Sequence, residues 1–325
     1  MTMGKGTAQR VYRPRAGGSR LTADGFSLTE VLIAIAILVI ALVMVGASFP
    51  VGVAMTTNVA ERTIAAVVAD EAFAKIKLYG LRDVSKSVSD VSSAWYTPSF
   101  SVTLSEMVRQ EWVPFETVAA SLPGDRREVF AYPSDTDMIQ SGDSVYYWSA
   151  LCRRELNSAG IPTGEVRIVV FVSRRVGGGN VKYPVYYERE GEAAAPPVPL
   201  NDWPRPVLLF NDNNSDTVFN SGDLCVIRRM PGSSARTVRI LGKTPSADPG
   251  RQRIYLNPGC FVLDDTTGEV YRVVERTTSD FIFLDRDFVE KSLNPQANYK
   301  LWVVPTGIGT TRNPCIAVYQ KVLKF

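Results

Sequence analysis

Not one histidine occurs in the 325 residues. That removes the commonest general base at neutral pH, the serine–histidine and cysteine–histidine nucleophile pairs, and the usual ligand of zinc and iron. Carboxylate-only or serine–lysine chemistry survives the exclusion, but an enzyme is not the expectation. Cysteine is scarce too, the whole set being Cys152, Cys225, Cys260 and Cys315. Their spacings fit no metal knuckle, and without histidine a zinc centre is not expected. Two structural fates stay open for them: disulfides, for which four cysteines allow three pairings, or buried thiols in strands. Net charge is also nearly missing, with 36 Lys plus Arg against 33 Asp plus Glu. The small excess is not spread evenly. Residues 1–25 carry Lys5, Arg10, Arg13, Arg15 and Arg20 against Asp24 alone, and the remainder sits at about −1.

What the chain has in abundance is apolar side chains, 45% of the total, enough for a real core and too many for global disorder. Residues 31–47 run without a single polar side chain, and no charge follows Glu30 until Glu61. As a helix, residues 26–49 would extend roughly 36 Å, enough to cross the hydrocarbon layer. The basic leader should stay on the cytoplasmic side, which places the chain beyond about residue 50 outside, in a single pass. Glu30 is the anomaly in this segment. A carboxylate drawn into the middle of a membrane costs roughly 2.5–3.5 kcal/mol on insertion scales, so Glu30 should have a partner. Cleavage between Gly25 and Phe26 would supply one, since the new α-ammonium of Phe26 on one subunit could neutralise Glu30 on its neighbour.

In these features the sequence resembles the type IV prepilin family, which includes the pseudopilins of type II secretion. The resemblance rests on the short basic leader, Gly25 before Phe26, Glu30 at the fifth position after the glycine, and the apolar helix that follows. It covers residues 25–80, and the run 30–38 looks most like the minor pilins of the pilus-modification type. The resemblance implies cleavage after Gly25 and methylation of Phe26 by a prepilin peptidase/methyltransferase. It also implies subunit assembly through Glu30, with other pilins or pseudopilins and an inner-membrane assembly platform as partners. Pro50 falls near where pilin helices often carry a kinking proline. Asp24 departs from the basic residue usual before the glycine. A secretory signal cut after Val45-Gly46-Ala47 explains the basic and apolar parts but not Glu30. A plain single-pass anchor, or a secreted or anchored β-domain binding protein, is the reading from another class.

The expected fold is α+β, a long membrane-spanning helix packed on an antiparallel sheet, with a further barrel- or sandwich-like region. Residues 1–25 are the leader and 26–80 the helix, spanning the membrane over 28–49. Its outer half should bury Val59, Ile64, Val67, Val68, Ala72 and Ile76, spaced at three and four residues, and stop at Gly80. Residues 81–199 form the β head, with strands at 144–152, 166–175 and 181–188. Gly177-Gly178-Gly179-Asn180 turns a hairpin between the last two. Residues 200–300 hold a second β-rich region, with strands at 207–210, 224–229, 237–241, 253–256, 268–275 and 281–284. Residues 301–325 close the chain with strands at 299–304 and 315–323. If the last returns to the first sheet, the second region is an insertion.

Beyond the helix, the sharpest chemical pattern is Asp212, Asn214, Asp216, Asn220 and Asp223, at positions 1, 3, 5, 9 and 12 of a loop. Such oxygen spacing resembles a calcium loop, although Thr217 stands where a glycine makes the sharp turn. The echo at 134–143, which also ends in Ser-Gly-Asp, suits a hydrogen-bonded turn that starts a strand instead. Apart from calcium there, no cofactor is expected. Arginine pairs at 126–127, 153–154, 174–175 and 228–229 read as solvated strand ends on a head of near-zero charge, so DNA is not an expected partner. Trp95, Trp112 and Trp203 are core anchors or an adhesive surface.

Overall fold

The computed structural model describes residues 27–81, 112–115, 119, 122, 129–134, 145–157, 159, 162–176, 181–184, 200–201, 203–209, 226–229, 234–241, 256–277, 281–290, 299–307 and 312–325. The chain divides into two compact units, one ending at Thr57 and one beginning at Asn58. Helix α1, Leu28–Tyr79, is continuous through Pro50, whose missing N–H leaves one turn without its usual bond. It stops where expected: Gly80 has φ +67° and donates its N–H to the Ile76 carbonyl at 3.0 Å, a left-handed cap that a side chain would strain. Up to Met55 the helix is apolar and exposed all round. It is long and apolar enough to span a membrane, a test that a signal sequence also passes. The few hydroxyls nearby turn inward, with Thr56 and Thr57 both donating to the Val53 carbonyl at 2.9 Å.

Beyond Asn58 one helical face is buried, by Ala65, Val68, Ala69, Ala72, Phe73 and Ile76. This stripe corrects the expected one. Val59 and Val67 are 65% and 49% exposed, and the small alanines supply the face instead, letting the helix lie close to the sheet.

The strands follow in order: β1 Val113–Pro114, β2 Ala131–Tyr132, β3 Tyr146–Leu156, β4 Pro162–Arg174, β5 Tyr183–Pro184, β6 Leu200–Asn201, β7 Val207–Leu208, β8 Val226–Arg229, β9 Thr237–Leu241, β10 Phe261–Asp264, β11 Val270–Arg276, β12 Phe281–Leu284, β13 Tyr299–Val303 and β14 Cys315–Lys324. The first sheet is antiparallel in the order β1-β3-β4-β14, with β2 also on β3. Strand β14 does return to β4, over the register Cys315↔Ser173 to Lys324↔Glu165. The expected hairpin after β4 is not formed. Both edges of β4 are occupied, by β3 and β14, and Tyr183–Pro184 pairs with Leu200–Asn201 instead. The Gly177–Asn180 turn itself lies outside the described residues.

Six strands close a barrel in the order β10-β11-β12-β9-β8-β13, with β13 returning to β10 and β7 attached to β13. The barrel is therefore inserted between β4 and β14, and it ends at β13 rather than at residue 300. Alternate residues fill its interior, among them Val262, Tyr271, Val273, Ile282, Val238, Ile227 and Leu301. At eight strands or fewer, side chains are enough to fill a barrel, and this one is packed with its own.

Strand β4 carries the load of both layers because it is buried on both faces. Val166, Ile168, Val170 and Val172 pack with the helix, Trp148 and Cys152. Val169 and Phe171 point the other way, with Leu151, Leu208, Leu263 and Trp302. The second unit thus stacks helix, sheet and barrel in that order, which explains the nearly unbroken apolar run of β4.

Candidate functional site

The processing residues Gly25 and Phe26 lie outside the described residues, but the start of the helix does not. Ser27 Oγ accepts the Glu30 N–H at 3.2 Å, and Glu30 Oε2 accepts the Ser27 N–H at 3.0 Å. This is a capping box, satisfying two amides that a helix start otherwise leaves bare. It also places the carboxylate at the positive end of the helix dipole. The signal was readable as Ser27-x-x-Glu30, and the membrane-partner reading passed over it. The cap lies wholly after Gly25, so cleavage there leaves it intact. The cap uses Oε2 alone; among the described residues Oε1 has no hydrogen-bond donor.

The second cluster joins sheet to barrel, and sequence reasoning had placed its key residue in solvent. Arg153, on β3, is 7% exposed. Its guanidinium lies 4.7 Å from the Trp112 ring centroid and donates to the carbonyls of Asp265, Thr266 and Thr267 at 3.1–3.3 Å. Those carbonyls belong to the tight turn between β10 and β11, which Asp264 organises. Asp264 is fully buried, and its carboxylate accepts the Thr266 and Thr267 N–H groups and the Thr267 hydroxyl. Gly268 has φ +76°, and a Cβ there would meet Trp112 Cζ2 at 2.8 Å and Arg153 Nη2 at 3.0 Å. From β14, Gln320 donates to the Gly268 carbonyl at 2.7 Å, and on the barrel Trp302 Nε1 donates to Asp265 Oδ1 at 2.7 Å. Beside this turn, Arg154, Glu155 and Glu269 help to line a pocket of about 330 Å³.

Burial pushes the Asp264 carboxyl above its usual range, against the opposing pull of Thr267, the turn amides and Arg153. An acid whose folded value is raised gives most stability below its unfolded value and loses it as pH rises through the folded one. Relative to Asp264→Asn, the wild type should therefore lose urea resistance as pH climbs from 3.8 through the raised value. Denaturation midpoints of both proteins across that range check this, and parallel curves would refute it.

A third polar cluster among the described residues ties the helix to the segment around the second strand. Ser134 donates to Glu71 Oε1 at 2.7 Å and is itself bonded by Lys75 Nζ. Lys75 Nζ also lies 2.6 Å from Glu71 Oε1, so the lysine and the serine share that one carboxylate in a structural cluster. Lys75 also donates to the Val129 carbonyl at 3.0 Å, so the group holds the segment around the second strand to the helix. Arg174 is paired with Glu61, and Arg229 with Glu290 at 2.9 Å; neither is a free strand-end cation. Trp112 and Trp203 are buried, as core anchors; Trp95 lies outside the described residues.

Of the two fates open to the cysteines, Cys152, Cys260 and Cys315 take the second and are buried free thiols. Burial pushes all three thiols up, Cys260 to about 12, so none is poised as a nucleophile at neutral pH. Cys225 and the oxygen-rich loop Asp212, Asn214, Asp216, Asn220 and Asp223 lie outside the described residues. Among the described residues no three His, Cys, Asp or Glu side chains are grouped to hold a metal ion. Comparison of the chain with family models, with curated proteins and with solved structures finds no match to any of them.

Proposed function

We propose that the chain is a minor type IV pilin, a structural subunit trimmed after Gly25 and built into a filament through its amino-terminal helix. The observation that carries this reading is the start of α1. A single carboxylate, half used by its own cap, precedes a surface, apolar but for Ser48, that is exposed on every side from Val31 to Met55. Neighbouring helices of the same kind would cover that surface in a filament, as lipid would before assembly. The unused Glu30 Oε1 is the acceptor that the Phe26 α-ammonium of an adjacent subunit requires. The basic leader keeps the amino terminus in the cytoplasm of the producing cell, and the layered second unit is displayed outside. On this reading the protein performs no chemistry; it is the substrate of a peptidase and methyltransferase, and its partners are other pilins and the inner-membrane assembly platform.

Mass spectrometry of the native amino terminus tests the proposal directly. N-methylated Phe26 is the expected result, and Gly25→Ala should leave the leader attached. A chain starting at Ser48 would make the segment a secretory signal, and one starting at Met1 or Thr2 a plain anchor. Either would overturn the pilin reading.

A further inference from the structure

Strand β14 closes one side of the first sheet, and among the described residues it pairs with β4 alone. A ten-residue strand with one bare edge is a template for another strand unless something blunts it. Its two halves differ in this respect. Lys321 and Lys324 charge the second half, whereas residues 315–319, Cys-Ile-Ala-Val-Tyr, carry no charge at all.

That unprotected half lines an open groove of about 680 Å³, with Asn58, Glu61 and Arg62 of the helix on one side and Asn257, Pro258, Gly259, Phe261 and Arg272 of the barrel on the other. The groove is strongly cationic for a protein of nearly balanced charge. Arg174 is neutralised by Glu61, but the guanidinium groups of Arg62, Arg272 and Arg312 also line it and make no ion pair among the described residues. Arg62 and Arg312 are exposed. Arg272 is held over the Phe261 ring, 5.9 Å from its centroid. Arg62 reaches far enough along the groove to pull the Tyr319 phenol down against the upward push of burial and Asp70.

From this arrangement we infer that the groove is a docking site for an extended acidic polypeptide segment, added as a strand to the free edge of β14 at residues 315–319. Backbone pairing would supply register and part of the affinity, and the arginines would choose the sequence. Alternate side chains of an added strand point to opposite faces. A guanidinium flanks each face, Arg62 on the helix side and Arg272 on the barrel side, with Arg312 at the end where β14 begins. Carboxylates suit these planar forks better than any neutral group. Three guanidinium groups gathered in one groove suit a short acidic segment better than a long polyanion. The inference does not depend on how the amino terminus is processed.

The test uses the full chain in detergent and a labelled, end-blocked hexapeptide of alternating valine and glutamate, with fluorescence anisotropy as the readout. Saturable binding is expected, tighter by about tenfold or more than for the same peptide with lysine in place of glutamate, and weaker in high salt. N-methylation of alternate probe amides, which leaves the protein untouched, should abolish it. Arg62→Glu combined with Arg312→Glu, at two exposed and unpaired positions, should reverse the preference toward the lysine peptide. No saturable binding of the acidic probe, equal binding of both probes, or indifference to N-methylation would each overturn the assignment.

Discussion

Replacing Arg153 with alanine is expected to destabilise the second unit by about 3–5 kcal/mol, the range for removing one partner of a buried charged network. Three turn carbonyls lose their donor, the Trp112 face loses its cation, and the buried Asp264 carboxylate loses a nearby positive charge. Burial lowers the arginine's own pKa, with Glu155 opposing, so part of its desolvation cost is recovered on removal; the orphaned acceptors outweigh that gain. Gly268→Ala should act on the same contact from the other side, through a left-handed backbone and a Cβ 2.8 Å from Trp112, at about 2–4 kcal/mol. Because alanine at 153 vacates half the space that the new methyl needs, the double variant should lose less than the sum of the singles. Urea denaturation of the full chain in detergent, followed by tryptophan emission, reads all three. Trp112 and Trp302 both touch this turn and report on it. A loss below 1 kcal/mol for Arg153→Ala would show that the turn holds the barrel without it.

The second large effect concerns Glu30, whose two roles can be separated. Glu30→Gln keeps an oxygen to accept the Ser27 amide, so the cap survives, but it removes the charge. Glu30→Val removes both. On the proposed function both variants should be cleaved normally after Gly25, and both should drop out of filaments, glutamine nearly as completely as valine. Immunoblotting of sheared filaments against whole cells measures the incorporated fraction. Wild-type incorporation of the glutamine variant would assign Glu30 to the cap and remove the ion pair between subunits.

Most elements were legible because their signals are local. Strands β9 and β12 fall at 237–241 and 281–284 as their β-branched and aromatic residues indicate, whereas the return of β14 was only one of the arrangements its position allowed. Strand β10 went unread because Asp264-Asp265-Thr266-Thr267 looks like a loop, while Phe261–Asp264 is too short to announce itself. The helix stripe was half right for a related reason. Large side chains draw the eye in a sequence, yet close helix–sheet packing also selects small ones, so Ala65 and Ala69 went unread while Val68, Ala72 and Ile76 fell where expected. Arg153 was misplaced because doubled arginines usually mean solvent, and only the barrel arriving from more than a hundred residues away covers the first of this pair. The failed hairpin after β4 has the same origin, since β14 took the edge that a local turn would have used.

The insertion of a whole barrel between β4 and β14 has a consequence for folding during synthesis. The strand that completes the first sheet follows the whole barrel in the chain, so it is made after the barrel, and it pairs with residues 165–173. Until it arrives, a strand whose core positions are all apolar presents a bare edge, and the long loop to be closed makes that pairing slow. A chain broken off anywhere in the barrel would keep helix α1 and the exposed edge of β4 together. Such a fragment is a ready substrate for proteolysis, so closure of the first sheet depends on completion of the barrel.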